Sequence, residues 1–372
     1  MADSPPAISL SETDGSRKAD SQRRPTLPAL TGIRFFAAFY VVLFHSRPWL
    51  MSHFHLPGWL IIFLGNGYLA VALFFLLSGF ILSYTYAGNV ENGRQNAKFW
   101  EARFARIYPV YFLSLMLALP FQRALPVTTK IAVLAMVQAW NPFRRGWTGA
   151  WNYPAWSLSV EAFFYLCFPF IQKRISRVGD RWLMPFICAM AVISVVAHTP
   201  IQGLGTSGQS STYLGGLILP IYRLPEFLLG MGLGNRFLRL GAVSQSTVVT
   251  YLAAAAVIML LSAPIGPWVS LVVVPFAALL LELADSRNHL AGLLSTPLMI
   301  LLGGASYALY LLQAPFRDWV RVLSAHLPNA IARFATPATP VLLVLFSILI
   351  FKIWEEPSRR AIRRWLGTKR AS

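Results

Sequence analysis

The sequence predicts an all-α, polytopic integral membrane helix bundle of about ten transmembrane helices, with both termini in the cytoplasm. Of its 372 residues, 56% are apolar and 14% are aromatic, which is too apolar for a soluble domain of this length. Apolar segments of membrane-spanning length recur from residue 30 to residue 354. These segments are continuous apolar runs rather than alternating ones, which argues against a β-barrel.

Ten segments have the length and apolarity of transmembrane helices. They are approximately residues 30–47, 67–87, 104–121, 155–172, 182–199, 214–234, 246–262, 268–284, 296–314 and 339–354. The further apolar stretch 131–140 is too short to cross a bilayer and is predicted to be interfacial or re-entrant.

The basic residues are distributed unevenly between the loops. With the N-terminus in the cytoplasm, 22 of the 32 lysines and arginines lie in cytoplasmic loops and tails, and 8 lie in outer loops. This bias follows the positive-inside rule and would shrink if the stretch 131–140 crossed the membrane. The same clusters produce the net charge of +18, so this charge is no indication of nucleic-acid binding.

The two ends of the chain differ from its apolar middle. Residues 1–27 are polar and predict a disordered cytoplasmic tail, residues 28–366 form the transmembrane domain, and residues 367–372 form a basic cytoplasmic tail. The first segment is too long and too polar for the charged region of a signal peptide. Cys167 and Cys188 both lie in apolar segments, so neither a disulfide nor a metal site is predicted.

Four charged residues lie at membrane depth in this layout. They are Arg34, Arg223, Glu161 and Glu226. A charge in the bilayer interior costs several kcal/mol unless it is paired or hydrated, so such residues are candidates for a functional site. Arg223 and Glu226 are three residues apart on one predicted helix, and a simple ion pair between them is an equally good explanation.

The first span contains both an arginine and a histidine. Arg34 and His45 are eleven residues apart in LTGIRFFAAFYVVLFHSRPWL. On an α-helix this spacing corresponds to three turns plus about 20° and a rise of about 16 Å, so both side chains lie on one face. Histidine is suited to proton transfer near neutral pH. The alternative is a histidine at the outer interface that is hydrogen-bonded to a neighbouring helix.

Two further stretches have small or basic residues at helical spacing. Ser78 and Gly79, in the segment LLSGF, predict a close approach between helices, and packing explains them without chemistry. Arg103 and Arg106 stand three apart at the cytoplasmic end of the third span, so two guanidinium groups on one face are able to bind a phosphate. The alternative is that these two arginines serve only to orient the span in the membrane.

Two later stretches place polar groups inside spans. Ser157 and Glu161 open a span at the outer face in WSLSVE, where Glu161 is able to orient an imidazole or pair with an arginine. Ser306, Tyr310 and Gln313 follow one side of a helix in SYALYLLQAP.

The order of these motifs carries a resemblance. The motifs are Arg34 and His45 separated by ten residues, LSGF, RFARIYP, WSLSVE, RLPEFLLG, SYALYLLQAP and the closing EEPSRR. In this order of its motifs, the chain resembles the family-3 membrane acyltransferases. These are bacterial integral-membrane O-acetyltransferases of lipopolysaccharide O-antigens, exopolysaccharides, Nod factors and some antibiotics. The resemblance covers about residues 28–366.

The resemblance implies a multi-pass protein of the bacterial inner membrane. It would transfer an acetyl or other acyl group from cytoplasmic acetyl-CoA, a co-substrate rather than a bound cofactor, to a hydroxyl of a surface or exported polysaccharide or glycolipid. The implied partners are acyl-CoA, the carbohydrate or glycolipid acceptor, the lipid bilayer and polysaccharide-assembly proteins. No nucleic acid and no metal are implied.

The family's site residues carry over by position. Its arginine–histidine pair falls on Arg34 and His45, its arginine pair on Arg103 and Arg106, and its acid on Glu161. The hypothesis is that the arginines bind the CoA phosphates, that His45 acts as a general base or transient acyl carrier, and that Glu161 orients the imidazole. The supporting residues are Ser157, Arg223, Glu226, Ser306, Tyr310 and Gln313. Many members have histidine at the position of Gln313, so the pattern does not support a second base there.

Two other classes of protein are compatible with polar residues in spans. Intramembrane arginine and glutamate also mark the substrate pathways of transporters. The sequence has no inverted repeat, and its Arg34–His45 pair is confined to the first span, which argues against a transporter. A purely structural membrane subunit would tolerate changes at both of these residues.

Overall fold

The structure is a computed structural model that describes residues 24–90, 92–122, 124–203, 218–241, 246–285 and 288–368. Within these ranges the regular structure is entirely helical. The α-helices are α1 (Pro28–His53), α2 (Gly58–Gly65), α3 (Ala70–Tyr86), α4 (Gly93–Ala118), α5 (Val127–Leu134), α6 (Trp156–Ile175), α7 (Asp180–Gly203), α8 (Pro220–Leu240), α9 (Thr247–Ser262), α10 (Val273–Ala284), α11 (His289–Leu294), α12 (Pro297–Ser324), α13 (Asn329–Ile350) and α14 (Glu356–Thr368).

Within the described ranges, eight helical stretches are long and apolar enough to cross a membrane. They are Pro28–His53, Gly58–Tyr86, Gly93–Phe121, Tyr153–Ile175, Asp180–Ala197, Gly266–Ala284, Pro297–Ser324 and Asn329–Leu366. This confirms the prediction of an all-α protein with many membrane-spanning helices. The count of ten spans and the cytoplasmic position of both termini stay predictions.

The other two predicted spans also coincide with helices. α9 is 16 residues long, which is shorter than the roughly 20 residues that an apolar bilayer core requires. α8 is 21 residues long but carries Arg223 and Glu226, which lower its mean hydropathy. The first four residues of the predicted span 214–234 lie outside the described ranges.

The short apolar stretch 131–140 does not form a crossing helix. Its helical part belongs to α5, which has 8 residues and ends at Leu134. Met136 then has a φ of 58°, in the left-handed region that interrupts an α-helix. The chain therefore turns here, as expected for an interfacial or re-entrant piece.

Glycines bring the backbones of α3 and α8 into contact. A Cβ atom on Gly79 would lie 2.1 Å from the carbonyl oxygen of Phe227, and one on Gly230 would lie 2.0 Å from that of Leu76. No real side chain fits at such distances, so these glycines permit the approach. The predicted close approach at Gly79 is confirmed.

A similar contact joins α1 to α12. A Cβ atom on Gly303 would lie 2.0 Å from the carbonyl oxygen of Thr31. Both helices carry predicted site residues. The glycine contact therefore fixes the distance between two walls of the site described below.

Arg24 closes the C-terminal end of α3. Its Nη2 donates to the carbonyl oxygen of Ala87 at 2.9 Å, and its Nη1 donates to that of Tyr84. The Tyr84 hydroxyl donates in turn to the carbonyl oxygen of Pro25 at 3.0 Å. The last carbonyl groups of a helix have no hydrogen-bond donors within it. Here the Arg24 side chain, from outside the helix, supplies those donors. The remainder of the predicted tail 1–27, up to residue 23, lies outside the described residues.

Candidate active site

A cavity of about 290 Å³ lies inside the bundle, between α1, α3, α4, α6 and α12. Its lining combines apolar and aromatic side chains with a small set of charged and hydroxyl groups. The predicted site residues that line it are Arg34, Arg103, Arg106, Ser157, Glu161, Ser306 and Tyr310. Residues from five helices, widely separated in sequence, therefore converge on one space.

Three of these residues are arginines. Arg34 projects from α1, and Arg103 and Arg106 project from one face of α4, where a spacing of three residues brings them together. Arg34 interacts unfavourably with Arg106 and favourably with Glu161 and Glu355. The cavity therefore concentrates positive charge that two acids balance only in part.

Arg103 is held by a box of aromatic rings. Its guanidinium carbon lies 5.3 Å from the ring centre of Tyr86, 5.8 Å from that of Phe99 and 6.0 Å from that of Tyr165. Its Nη2 also donates to the Tyr86 hydroxyl at 3.0 Å. Ring faces attract a cation without using up its N–H donors. The box therefore fixes Arg103 while leaving donors for a ligand.

Glu161 has two hydrogen-bond donors inside the cavity. The Ser78 hydroxyl donates to Glu161 Oε1 at 3.0 Å, and the hydroxyl of Tyr165, one helical turn further along α6, donates to the same oxygen. Both donors use the same carboxylate oxygen, and the role of Glu161 in orienting the imidazole of His45 stays a prediction. The carboxylate also interacts favourably with Arg34 across the cavity that both residues line.

His45 lies beyond the cavity lining. It is half-buried, and its ring meets that of Tyr153 edge-on, with the ring centres 6.0 Å apart. Tyr153 precedes Ser157 by four residues, and Ser157 donates to the hydroxyl of Tyr310 at 2.8 Å. Ser157 and Tyr310 both line the cavity. The cavity wall formed by this hydrogen-bonded pair therefore lies towards His45.

The other three supporting residues do not line the cavity but contact residues that do, directly or through one another. Arg223 and Glu226 are both buried and pair at 3.2 Å, so the simple ion pair suggested by their spacing is present. The Arg223 guanidinium also lies 5.3 Å from the ring centre of Phe75, which lines the cavity. Gln313 donates to the carbonyl oxygen of Tyr310 at 2.8 Å. These residues brace the lining rather than face the cavity.

Several lining residues were not predicted from the sequence. Ser78 was explained by packing alone, and Tyr86, Tyr165 and Tyr307 were not singled out. One signal was present: Tyr165 follows Glu161 by four residues, which places both on one face of a helix. For the others, partners from distant segments decide the role, and no local spacing reveals them.

The fold and the cavity define a class of protein: a multi-pass membrane protein with a charged site between its helices. A family model described as an acyltransferase domain matches residues 27–354, and the chain belongs to this family. The chain is therefore an acyltransferase. This confirms the resemblance drawn from the motifs and the expectation of an enzyme.

Named relatives agree with this assignment. The chain is 31% identical over 308 residues to acyltransferase MdmB of Streptomyces mycarofaciens, and the match covers 77% of each chain. It is 26% identical over 371 residues to O-acetyltransferase OatA of Staphylococcus aureus, which covers 90% of this chain and 56% of the relative. Protein 2 in the picA locus of Rhizobium radiobacter is 39% identical over 89 residues, 24% of this chain. No solved structure matches the chain.

Proposed function

We propose that the protein transfers an acetyl group from cytoplasmic acetyl-CoA to a hydroxyl group of a surface or exported polysaccharide or glycolipid. The observation that carries this proposal is the cavity, where Arg34, Arg103 and Arg106 converge inside a membrane-spanning bundle. The setting is the bacterial inner membrane, where polysaccharide-assembly proteins would be partners.

The three arginines suit the phosphates of CoA. Guanidinium groups bind phosphate oxygens through paired N–H donors, and the like charges of Arg34 and Arg106 favour an anion between them. Arg103 keeps its donors available because aromatic rings hold it in place. CoA bound here would direct its pantetheine arm along the bundle.

His45 is the proposed base. It lies about 16 Å beyond Arg34 along α1, and a pantetheine arm separates the phosphates of CoA from its thioester by a comparable span. The acceptor hydroxyl oxygen attacks the thioester carbonyl carbon while His45 takes the hydroxyl proton. The new C–O bond forms, the C–S bond breaks, and the leaving thiolate takes a proton to give free CoA. If His45 carries the acetyl group first, its ring nitrogen displaces the CoA thiolate and forms an N–C bond; the acceptor hydroxyl oxygen then attacks the acetyl carbon, the N–C bond breaks, and the hydroxyl proton passes to the released ring nitrogen.

The test is acetyl transfer by the purified protein in nanodiscs. Labelled acetyl-CoA is mixed with surface polysaccharide isolated from a strain that lacks the protein, and both free thiol and labelled product are measured. The His45→Ala variant is expected to abolish the product while reaching the membrane in normal amounts. Continued acetylation by this variant would refute the role of His45, and solute movement without any acetylated product would indicate a carrier instead.

The donor site is tested with a thioester that has no phosphate. Arg103→Gln and Arg106→Gln are expected to raise the KM for acetyl-CoA at least tenfold, on the order of one charged hydrogen bond. The same variants should leave the KM for S-acetyl-N-acetylcysteamine unchanged. Arg174→Gln, at the exposed end of α6, is the matched control. Equal effects on both donors would show that these arginines do not bind phosphate.

A further inference from the structure

One end of the bundle is made by the segments near His45. The ring of Tyr153 joins segment 119–155 to His45. The indole Nε1 of Trp319 donates to the carbonyl oxygen of Leu117 at 2.9 Å, which joins segment 317–336 to the end of α4. We call this the acceptor end: Arg47 with segments 119–155 and 317–336.

The acceptor end is strongly basic. Among the residues whose side chains the structure describes, it contains Arg47, Lys130, Arg144, Arg317, Arg321 and Arg333 but a single acid, Asp318. Asp318 is already paired with Arg321, at 3.5 Å. Of these cations, Lys130, Arg144, Arg317, Arg321 and Arg333 are exposed. The positive-inside rule disfavours basic residues in outer loops. The large number of basic residues at this end therefore needs another explanation.

Two of these cations lie at the same end of the bundle as His45. Arg47 follows it by two residues on α1, so its side chain leaves another face of the helix, and it is half-buried against α2, where its Nη1 lies 3.1 Å from the position of a Cβ on Gly65. Arg317, on α12, lies within electrostatic range of the His45 ring. Neither arginine forms an ion pair with a described residue. Two guanidinium groups that have no acidic partner among the described residues therefore lie at the end of the bundle that holds the proposed base, and that of Arg317 acts on its ring.

We propose that the acceptor is an anionic glycan, whose carboxylate or phosphate groups bind Arg47 and Arg317 while one of its hydroxyls meets His45. This inference rests on the proposed function. A positive surface raises the local concentration of an anionic substrate, and guanidinium groups bind carboxylate and phosphate in defined geometry. A surface that served only to attract lipid headgroups would not need Arg317 within electrostatic range of the reacting histidine.

The experiment measures glycan binding to the full chain in nanodiscs of neutral lipid. The probes are an oligoglucuronate and a neutral glucan oligomer of equal length, at low and high salt. The oligoglucuronate should bind more tightly, by about tenfold or more at low salt, and the difference should shrink as salt screens the charges. The double variant Arg47→Gln, Arg317→Gln should lose this preference. The double variant Lys173→Gln, Arg177→Gln removes the same charge from exposed positions at the other end of the bundle and should keep it.

Other outcomes overturn the inference. Equal binding of both probes, or equal losses in the two double variants, would show that the acceptor end does not select anionic glycans. A short-chain anionic phospholipid serves as a third probe in the same nanodiscs; if the Arg47, Arg317 variant changes only the binding of this probe, the surface serves the membrane. Acetyl-CoA binding is measured in the same nanodiscs: its absence would refute the proposed function, whereas its presence without glycan preference would refute only the anionic acceptor.

Discussion

At the scale of single residues, Tyr165 connects two charged groups of the cavity. Its hydroxyl donates to Glu161, and its ring lies 6.0 Å from the guanidinium carbon of Arg103. Tyr165 is itself buried and also lies against Phe99. One side chain therefore fixes both a carboxylate and a proposed phosphate ligand, through different atoms.

Replacement of Tyr165 separates these two contributions. Tyr165→Phe keeps the ring beside Arg103 but leaves Glu161 with one donor fewer, so kcat is expected to fall about tenfold to a hundredfold while the KM for acetyl-CoA changes little. Tyr165→Leu also removes the ring, so the KM should rise as well. Steady-state kinetics of both variants in nanodiscs provides the measurement.

Tyr111→Phe is the matched control for this pair. Tyr111 is also fully buried and donates to a backbone carbonyl, that of Val133, but it does not line the cavity. Normal kinetics for Tyr111→Phe are expected. If Tyr165→Phe were as active as Tyr111→Phe, the bond to Glu161 would have no role in catalysis.

The sequence predicts the residues of the site better than their partners. Arg34 and Glu161 are recognisable because a charge inside a span is unusual, and Arg103 and Arg106 because their spacing places two guanidinium groups on one helix face. Ser78 is not, because a small residue in an apolar helix has packing as its ordinary explanation. Which hydroxyl reaches a carboxylate depends on the depth and rotation of helices far apart in the chain, and no local spacing encodes these.

At the scale of elements, a π-helical segment ends the last span. Phe351–Glu355 separates α13 from α14. Glu355 is 2% exposed and interacts favourably with both Arg106 and Arg34. Single π-helical turns often occur at functional sites because they redirect a side chain. Here the segment turns a carboxylate inward, towards the arginines of the cavity.

Glu355 and Glu356 are adjacent in sequence but differ in their surroundings, so substitutions at the two positions can be compared directly. Glu355→Gln removes a carboxylate that attracts both Arg34 and Arg106, so the repulsion between these arginines is less compensated and kcat/KM for acetyl-CoA should fall about tenfold. Glu356 pairs on the surface with Arg359 and Arg360, at 3.6 and 3.2 Å. Glu356→Gln should therefore stay within about twofold of the parent. Equal losses would mean that Glu355 has no special role.

The glycine contact between α3 and α8 sets a second prediction at this scale. Gly230→Ala would place a Cβ 2.0 Å from the carbonyl oxygen of Leu76, so the helices must separate, at a cost of about 2 kcal/mol or more. A melting temperature several degrees lower in detergent is expected. Gly292→Ala, also in a helix but with open space around it, should melt with the parent protein. An unchanged melting temperature for Gly230→Ala would contradict the close contact.

At the scale of the whole molecule, the charge bias predicts an orientation. With 22 basic residues assigned to one side and 8 to the other, both termini and the Arg34 end of the cavity should face the cytoplasm. A green fluorescent protein fused to the C-terminus should therefore fluoresce, and an alkaline phosphatase inserted within residues 204–213 should be active. The reverse pattern would place the donor site on the wrong side for cytoplasmic acetyl-CoA.

Hydropathy alone predicts most of the architecture. Each of the ten predicted spans coincides with a helix, because apolar length is a direct requirement of the bilayer. The pairing of those helices is less accessible. The contacts of α3 with α8 and of α1 with α12 join segments far apart in sequence, and a glycine shows only that some partner approaches closely. The cavity arises from these pairings, so its existence could not be predicted from the individual spans.

The bond from Arg24 to the end of α3 has a practical consequence for shortened forms of the protein. α3 supplies Ser78 to the cavity, and its last carbonyls depend on a guanidinium that precedes the first span. A form that begins before Arg24 retains this support, whereas one that begins at Pro28, where the first helix starts, lacks it. The natural starting point for a minimal enzyme is therefore set by a hydrogen bond and not by the edge of the membrane.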